Sequence, residues 1–420
     1  MKIFFQNFGC KLNLAELQEL KISAFDLGYT STNQIRHADL ILINTCNVTG
    51  RAFEKIQQFI QKNIQTEKIY IVTGCMPLSF IRQKHRNNIF IVPSTKKNTI
   101  PDLLKKLIIK PSKKTNISLS TRHQLAKTRS FVKIQSGCNT RCSYCIIPFQ
   151  RGNSNSISPA KITKQINFYL KHDFQEIVLT GTNLGQYKYE KNDLQQLIKY
   201  ILDHTNIKRL RISSIDVCDI NDELLSLYQT YSKVICPHFH LALQSGSDKI
   251  LKLMRRPYSV SKYLATTQKI YKLIPGVSIT TDVIVGFPGE DRQDLNRTIQ
   301  VIEQIPFLKV HLFSYSNHPQ TDSSKYPNQI DHQEIKKRYQ TLNIVANKSR
   351  HLFFTSQIGK VVPVLMEQIR QKDQEKSIYR GYSDSYLPII VNSSQPLSPN
   401  CIYPIKIRKI VADGLLGEQE

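Results

Sequence analysis

The strongest constraint on the fold is a regular alternation over residues 131–355. Apolar strand candidates recur in the order FVKIQSG, EIVLTG, KRLRISS, HFHLALQ, VSITTDVIVGFP and KVHLFSY, and helical segments separate them. Strands that return through a helix run parallel to one another. Six such units in series imply an open or partial (β/α)6 barrel, whose functional residues gather at the C-terminal ends of the strands.

Residues 1–94 repeat the alternation on a smaller scale. KIFFQNFGC ends at Cys10, ADLILINTC at Cys46 and KIYIVTGC at Cys75, with NLAELQELKISAFDLGY and FEKIQQFIQKNI as intervening helices and IFIVP as a fourth strand. Continuous apolar strands joined by helices predict an open parallel α/β sheet. Each cysteine lies just past a strand's C-terminal end, where such sheets bind ligands, so three cysteines distant in sequence are expected to converge. The competing reading is three separate buried thiols.

Residues 95–130 hold ten Lys/Arg and one acid, Asp102; the first part, IPDLLKKLIIK, reads as helical. From 356 onward, KVVPVLMEQI, YRGYSDSYLPIIV and IYPIKIRKIVADGLLGE alternate apolar and polar residues between Gly, Pro and Asn breaks. That pattern predicts a small antiparallel β-barrel. The expected domains are 1–112, 124–355 and 356–420.

In GCNTRCSYC, directly after the first barrel strand, Cys138, Cys142 and Cys145 lie within eight residues. Three thiolates from one loop can hold three irons of a 4Fe-4S cube and leave the fourth open. Zinc also accepts three protein ligands, although zinc spacings usually add a distant pair or histidines. Tyr144 is placed to shield a cluster from water. Nine cysteines is an odd number, and a reducing cytosol favours metal ligation or catalysis over disulfides. No stretch of 18 apolar residues predicts a membrane span, and the N-terminus lacks the pattern of a signal peptide, so the expected location is the cytoplasm. The net charge of +26 favours a polyanionic partner, nucleic acid first.

CNTRCSYC resembles the signature loop of the radical S-adenosylmethionine enzymes. FGCKLN, INTCNVT and VTGC, followed by SGCNTRCSYCIIPFQRG, LTGTNLGQY, ISSIDV, HFHLALQSGSDKILKLMRRPY, TDVIVGFPGE and HLFSYS, run in the order of the methylthiotransferases. The resemblance covers nearly the whole chain and includes a C-terminal TRAM-type barrel. It implies two 4Fe-4S clusters. One, on Cys138, Cys142 and Cys145, would bind S-adenosylmethionine and cleave it to a 5′-deoxyadenosyl radical. The other, on Cys10, Cys46 and Cys75, would present sulfur, and a second S-adenosylmethionine would supply the methyl group. Gly181, Gly185, Ser213, Ser214, Asp216, Gln244 and Gly286 are the expected cofactor contacts, each with a strand-end turn as the competing reading. Arg255 and Arg256 are read as phosphate contacts or a solvated helix end.

Methylthiotransferases act on a tRNA adenosine beside the anticodon or on a ribosomal-protein aspartate. FGCKLN and YRGYSDSYLPIIV resemble the threonylcarbamoyladenosine group, and the positive charge favours the anticodon stem-loop of tRNA over a basic ribosomal protein. An electron donor and a sulfur source are implied but not identified. Lys406, Arg408 and Lys409 suit RNA backbone contact; Tyr379, Tyr382 and Tyr386 suit either RNA or barrel packing. The sequence departs from the family in RGNSNSIS, with Arg151 kept and Asn155 in place of a second arginine, and in SYSNHPQT, with His318 and Gln320. Cys218, Cys236 and Cys401 read as structural thiols. The alternatives are an isopentenyladenosine tRNA enzyme and a zinc-containing RNA-binding protein.

Overall fold

A computed structural model describes residues 1–46, 50–63, 67–75, 88–107, 128–372 and 377–420. The first section is a five-stranded parallel sheet of β1 (Lys2–Asn7), β2 (Thr30–Ser31), β3 (Leu40–Thr45), β4 (Ile69–Gly74) and β5 (Ile89–Pro93), in the order β2-β1-β3-β4-β5. All six residues of β3 are buried, as its unbroken apolar run requires in a sheet covered on both faces. IFIVP forms β5. The two-residue β2 was not foreseen, because Thr30–Ser31 carries no apolar run. IPDLLKKL forms the helix Ile100–Leu107. The boundaries expected at 112 and 124 lie outside the described residues.

The helix Lys11–Asp26 works on two sides. Leu17, Leu20 and Ala24 join the core of the first sheet, whereas Phe25 belongs to the large central core. Gln18 accepts a 3.0 Å hydrogen bond from the Phe131 backbone N–H, and Glu19 pairs with Lys133 at 3.1 Å. One helix thus seats the first section on the second.

The second section comprises β6 (Arg129–Lys133), β7 (Gln135–Ser136), β8 (Asn155–Ser156), β9 (Glu176–Thr180), β10 (Leu210–Ile212), β11 (Ser214–Ile215), β12 (His238–Leu241), β13 (Ser278–Val285) and β14 (Lys309–Ser314). β6, β9 and β10 pair in parallel, as do β11 to β14 in sequence. Ser213 alone separates β10 from β11, so the expected six-unit arc is present, with a break in its third strand. β7 and β8 form a short antiparallel ribbon that braces the three-cysteine loop.

The third section is a closed barrel of β15 (Val361–Lys372), β16 (Ser377–Ser383), β17 (Pro388–Ser393), β18 (Ile402–Val411) and β19 (Gly414–Gln419), in the order β15-β16-β17-β19-β18. It differs from the expectation in one pairing: β17 and β19 run parallel. A ring of five strands cannot alternate direction all the way round, so one like pair is unavoidable. Buried Arg211 holds the barrel to the arc by donating to the carbonyls of Asp384, at 2.7 Å, and Ser383, at 3.2 Å.

Candidate active site: two thiol sets beside adjoining cavities

β1, β3 and β4 are neighbours, so the residues after their C-terminal ends lie side by side. Gly74, at φ +119°, ends β4; a Cβ there would stand 2.2 Å from the Thr45 carbonyl oxygen. This close approach brings the chain before Cys75 against the chain before Cys46, and the Cys75 N–H donates to the same carbonyl at 3.1 Å. Cys46 and Cys75 are buried, whereas Cys10 is exposed.

The connection to the second set is Arg151, at the end of the short helix Ile147–Arg151 that follows the three-cysteine loop. Its Nε donates to Cys75 Sγ at 3.2 Å, and its two terminal nitrogens grip the Glu16 carboxylate at 2.7 and 3.2 Å. It also donates to Asn13 Oδ1 at 3.2 Å, the atom that accepts from Cys10 Sγ at 3.2 Å. Lys97 pairs with Glu16 and donates to Asn44 at 3.0 Å. Burial alone would raise the Glu16 carboxyl, but Arg151 and Lys97 outweigh it and hold the group down at about 2. This network of charge-assisted bonds crosses from the barrel to the first sheet and ends on thiols at both sides of the strand-end crevice.

The loop 137–145 is fixed on three sides. Gly137 lies at φ +81°, and a Cβ there would sit 2.0 Å from the Asn153 carbonyl oxygen, so only glycine lets the two segments meet. Gln186 accepts from the Asn139 N–H at 2.9 Å and donates to Thr140 at 2.7 Å. Ser143 donates to the Leu253 carbonyl at 2.7 Å. Arg256 donates to Cys142 Sγ at 3.3 Å and is paired with Asp216. Burial, with Cys142 and Cys138 nearby, pushes the Cys145 thiol up to about 12. Three thiols carried on one short, tightly held loop are a donor set suited to a cationic iron centre, whose charge stabilises thiolates.

Two adjoining cavities complete the site. The larger, of about 540 Å³, is lined by Cys10, Gly181, Ser213 and Ser214 at the strand ends and by Tyr382 and Tyr386 of the terminal barrel. The smaller, of about 190 Å³, is lined by Tyr144, Cys145, Gln244, Ile284, Tyr315 and His318. Asp282 and Phe313 line both. The expected cofactor residues therefore separate into groups. Gly181, Ser213 and Ser214 face the larger cavity, and Gln244, at φ +63°, faces the smaller. Asp216 acts on Arg256. Gly185 lies against Asp219 and Gly286 against Ile335, and neither lines either of these two cavities. Arg256 is a half-buried partner of the cysteine loop rather than a solvated helix end, whereas Arg255 is exposed and paired with Asp322. Tyr379 packs in the barrel core; Tyr382 and Tyr386 stack with centroids 5.2 Å apart.

Sequence reasoning missed His240, Asp282 and His311, whose ligating atoms lie within 4.8 Å of one another on the wall of the larger cavity. His240 bonds Asp282 at 3.2 Å. Burial brings His311 down to about 4, against the pull of Asp282. The alternation in HFH, which puts His238 and His240 on one face of β12, was the available signal.

The chain matches the Radical SAM superfamily over residues 132–302 and the uncharacterized protein family UPF0004 over residues 2–90. It is 33% identical over 419 residues to the threonylcarbamoyladenosine tRNA methylthiotransferase MtaB of Chlamydia pneumoniae, covering 98% of this chain and 96% of the relative. It is 31% identical to the tRNA-2-methylthio-N(6)-dimethylallyladenosine synthase of Dictyoglomus thermophilum, covering 94% and 93%. Its fold is similar to the radical S-adenosylmethionine methyltransferase TsrM of Kitasatospora setae, solved with cobalamin and a [4Fe-4S] cluster, with a TM-score of 0.54, 9% identity and coverage of 77% and 76%. The chain belongs to the methylthiotransferase family of radical S-adenosylmethionine enzymes.

Proposed function

We propose that this enzyme methylthiolates N6-threonylcarbamoyladenosine at position 37 of tRNA, giving the 2-methylthio derivative. One observation carries the reading. Cys10, of the scattered thiol set, lines the same cavity as the strand-end residues Gly181, Ser213 and Ser214, and the smaller cavity beside Cys145 adjoins it. A substrate base in the larger cavity would thus face both thiol sets at once. The names of the relatives and the FGCKLN stretch support the substrate.

In this reading Cys138, Cys142 and Cys145 hold one 4Fe-4S cluster, and Cys10, Cys46 and Cys75 hold the second. When bound, the clusters and S-adenosylmethionine supply hydrogen abstraction, sulfur insertion and methyl transfer. The chain's own residues position them. Arg256 orients Cys142, Arg151 orients Cys75, and Gln244 and Tyr144 frame the cofactor beside Cys145. The terminal barrel closes the cavity and, with Lys406, Arg408 and Lys409, meets the anticodon stem-loop. The functional domains are 1–112, 124–355 and 356–420. Among the described residues no helix is long and apolar enough to cross a membrane, and tRNA as substrate supports a cytoplasmic site of action. A reductant and a sulfur source complete the reaction.

Nucleoside analysis of tRNA from a strain lacking the gene tests the substrate. The 2-methylthio-threonylcarbamoyl nucleoside should disappear while the isopentenyl derivative persists. The reverse pattern assigns the isopentenyl substrate instead. Anaerobically purified protein should carry about eight irons per chain; a colourless zinc protein defeats the radical reading.

A further inference from the structure

Among the described residues, the cations on the wall of the larger cavity outnumber its acids, Asp282 and Asp413. Among the described residues, the arginines withdrawn from solvent are, with two exceptions, paired with a carboxylate: Arg129, Arg151, Arg209, Arg211, Arg256 and Arg338. The exceptions are Arg350 and Arg380, and both line this cavity. Arg350, on the helix His332–Thr355, lies over the Phe354 ring at 4.7 Å, and its guanidinium makes no hydrogen bond to another described residue. Burial lowers its pKa, and Asp413, also on the cavity wall, only partly opposes this. Among the described residues, the Arg380 guanidinium, on β16, donates only to the Tyr382 hydroxyl, at 3.3 Å. Lys309, exposed at the start of β14, lines the same cavity and forms no ion pair with a described residue. The other acid on the wall, Asp282, is engaged by His240.

A guanidinium partly withdrawn from water without a directly paired carboxylate is unfavourable, and a carboxylate is the partner its planar fork matches best. We propose that Arg350 and Arg380, with Lys309 at the rim, form a carboxylate subsite that takes the acid of the threonylcarbamoyl arm and rejects an apolar N6 arm. This rests on the proposed substrate and names the residues that select it. The cavity volume of about 540 Å³ suits a nucleoside with its arm. Phe313, 39% exposed and shared by both cavities, offers a face on which the adenine stacks. The threonyl carboxylate is the one negative charge a substrate base brings into such a cavity, since the phosphates stay with the backbone at its mouth.

The test uses anaerobically purified full-length holoenzyme and three anticodon stem-loop RNAs. They carry threonylcarbamoyladenosine, its methyl ester, or isopentenyladenosine at position 37. The wild-type protein should bind the acid about tenfold to a hundredfold more tightly than either neutral form. Arg350→Met and Arg380→Met should each bring that ratio towards one. The ester removes the charge from the substrate side, so the result does not depend on either variant folding. If the wild-type protein prefers the threonylcarbamoyl RNA over the isopentenyl RNA but binds acid and ester alike, the subsite is refuted and the proposed function stands. The subsite is equally refuted if the variants weaken all three RNAs by the same factor, the signature of a backbone phosphate contact. A preference for isopentenyl RNA refutes the substrate assignment itself.

Discussion

Arg151→Met is expected to weaken the joint between the first sheet and the barrel and to shift the proposed second cluster in a measurable direction. The side chain is 3% exposed and meets Glu16 through both terminal nitrogens. Its removal leaves a buried carboxylate, itself 5% exposed, with Lys97 as its remaining close cation. Breaking a buried pair by removing one partner costs about 3–5 kcal/mol. The position of the Glu16 carboxyl, held at about 2 against an ordinary 4.5, gives a consistent figure on the order of 3 kcal/mol for the whole network. At about 2–4 °C per kcal/mol for units of this size, a loss of about 3 kcal/mol should lower the transition involving the first sheet by about 6–12 °C.

The same substitution removes the Nε–H that reaches Cys75 Sγ. A cationic hydrogen bond to a thiolate favours the more negative, reduced cluster, so its loss should make the midpoint potential more negative. A differential of about 1.5–3 kcal/mol corresponds to a shift of about 60–130 mV for one electron. The measurement is a redox titration followed by paramagnetic resonance, in a background where Cys138, Cys142 and Cys145 are alanine so that one cluster remains. Arg151→Lys keeps the charge without the planar fork and should fall between wild type and Met. An unchanged midpoint in Arg151→Met protein that retains its iron would refute the role assigned to Arg151. A potential moved upward would refute the electrostatic argument.

Two further outcomes follow from the same geometry. Cys142→Ala should abolish reductive cleavage of S-adenosylmethionine, whereas Cys46→Ala should retain part of the cleavage and lose sulfur insertion; equal loss of cleavage in both would argue against separate roles for the two thiol sets. Burial raises Glu16 and Glu176, but their arginine and lysine partners dominate and hold both at about 2. The folded protein thus binds fewer protons than the unfolded chain between about pH 4.5 and 2, and it should lose stability as pH falls through that window. Denaturant titrations of the apoprotein should show this loss in wild type and a smaller one in Glu16→Gln, measured relative to each protein's own stability above pH 5.

The parts of this site that were legible share a physical cause. Cys10, Cys46 and Cys75 could be brought together on paper because unbroken apolar strands force a parallel sheet, and a parallel sheet puts its strand ends in one row. Cys138, Cys142 and Cys145 were legible because their proximity is local. Arg151 and Arg256 were visible only as charges. Their partners, Glu16, Asp216 and the thiols, stand up to 135 residues away, and no local pattern encodes that separation. Gly185 and Gly286 illustrate the converse: a glycine at a strand end is equally compatible with a ligand approach and with packing against Asp219 or Ile335, and only the third dimension separates the two. The unpaired state of Arg350 and Arg380 is further still from the sequence. It is a statement about every described carboxylate that does not pair with them, and it emerges only when the helix His332–Thr355 and β16 are set around the same cavity. Selection for an acidic arm would therefore be written into the docking of the terminal barrel on the arc, and not into either cysteine motif.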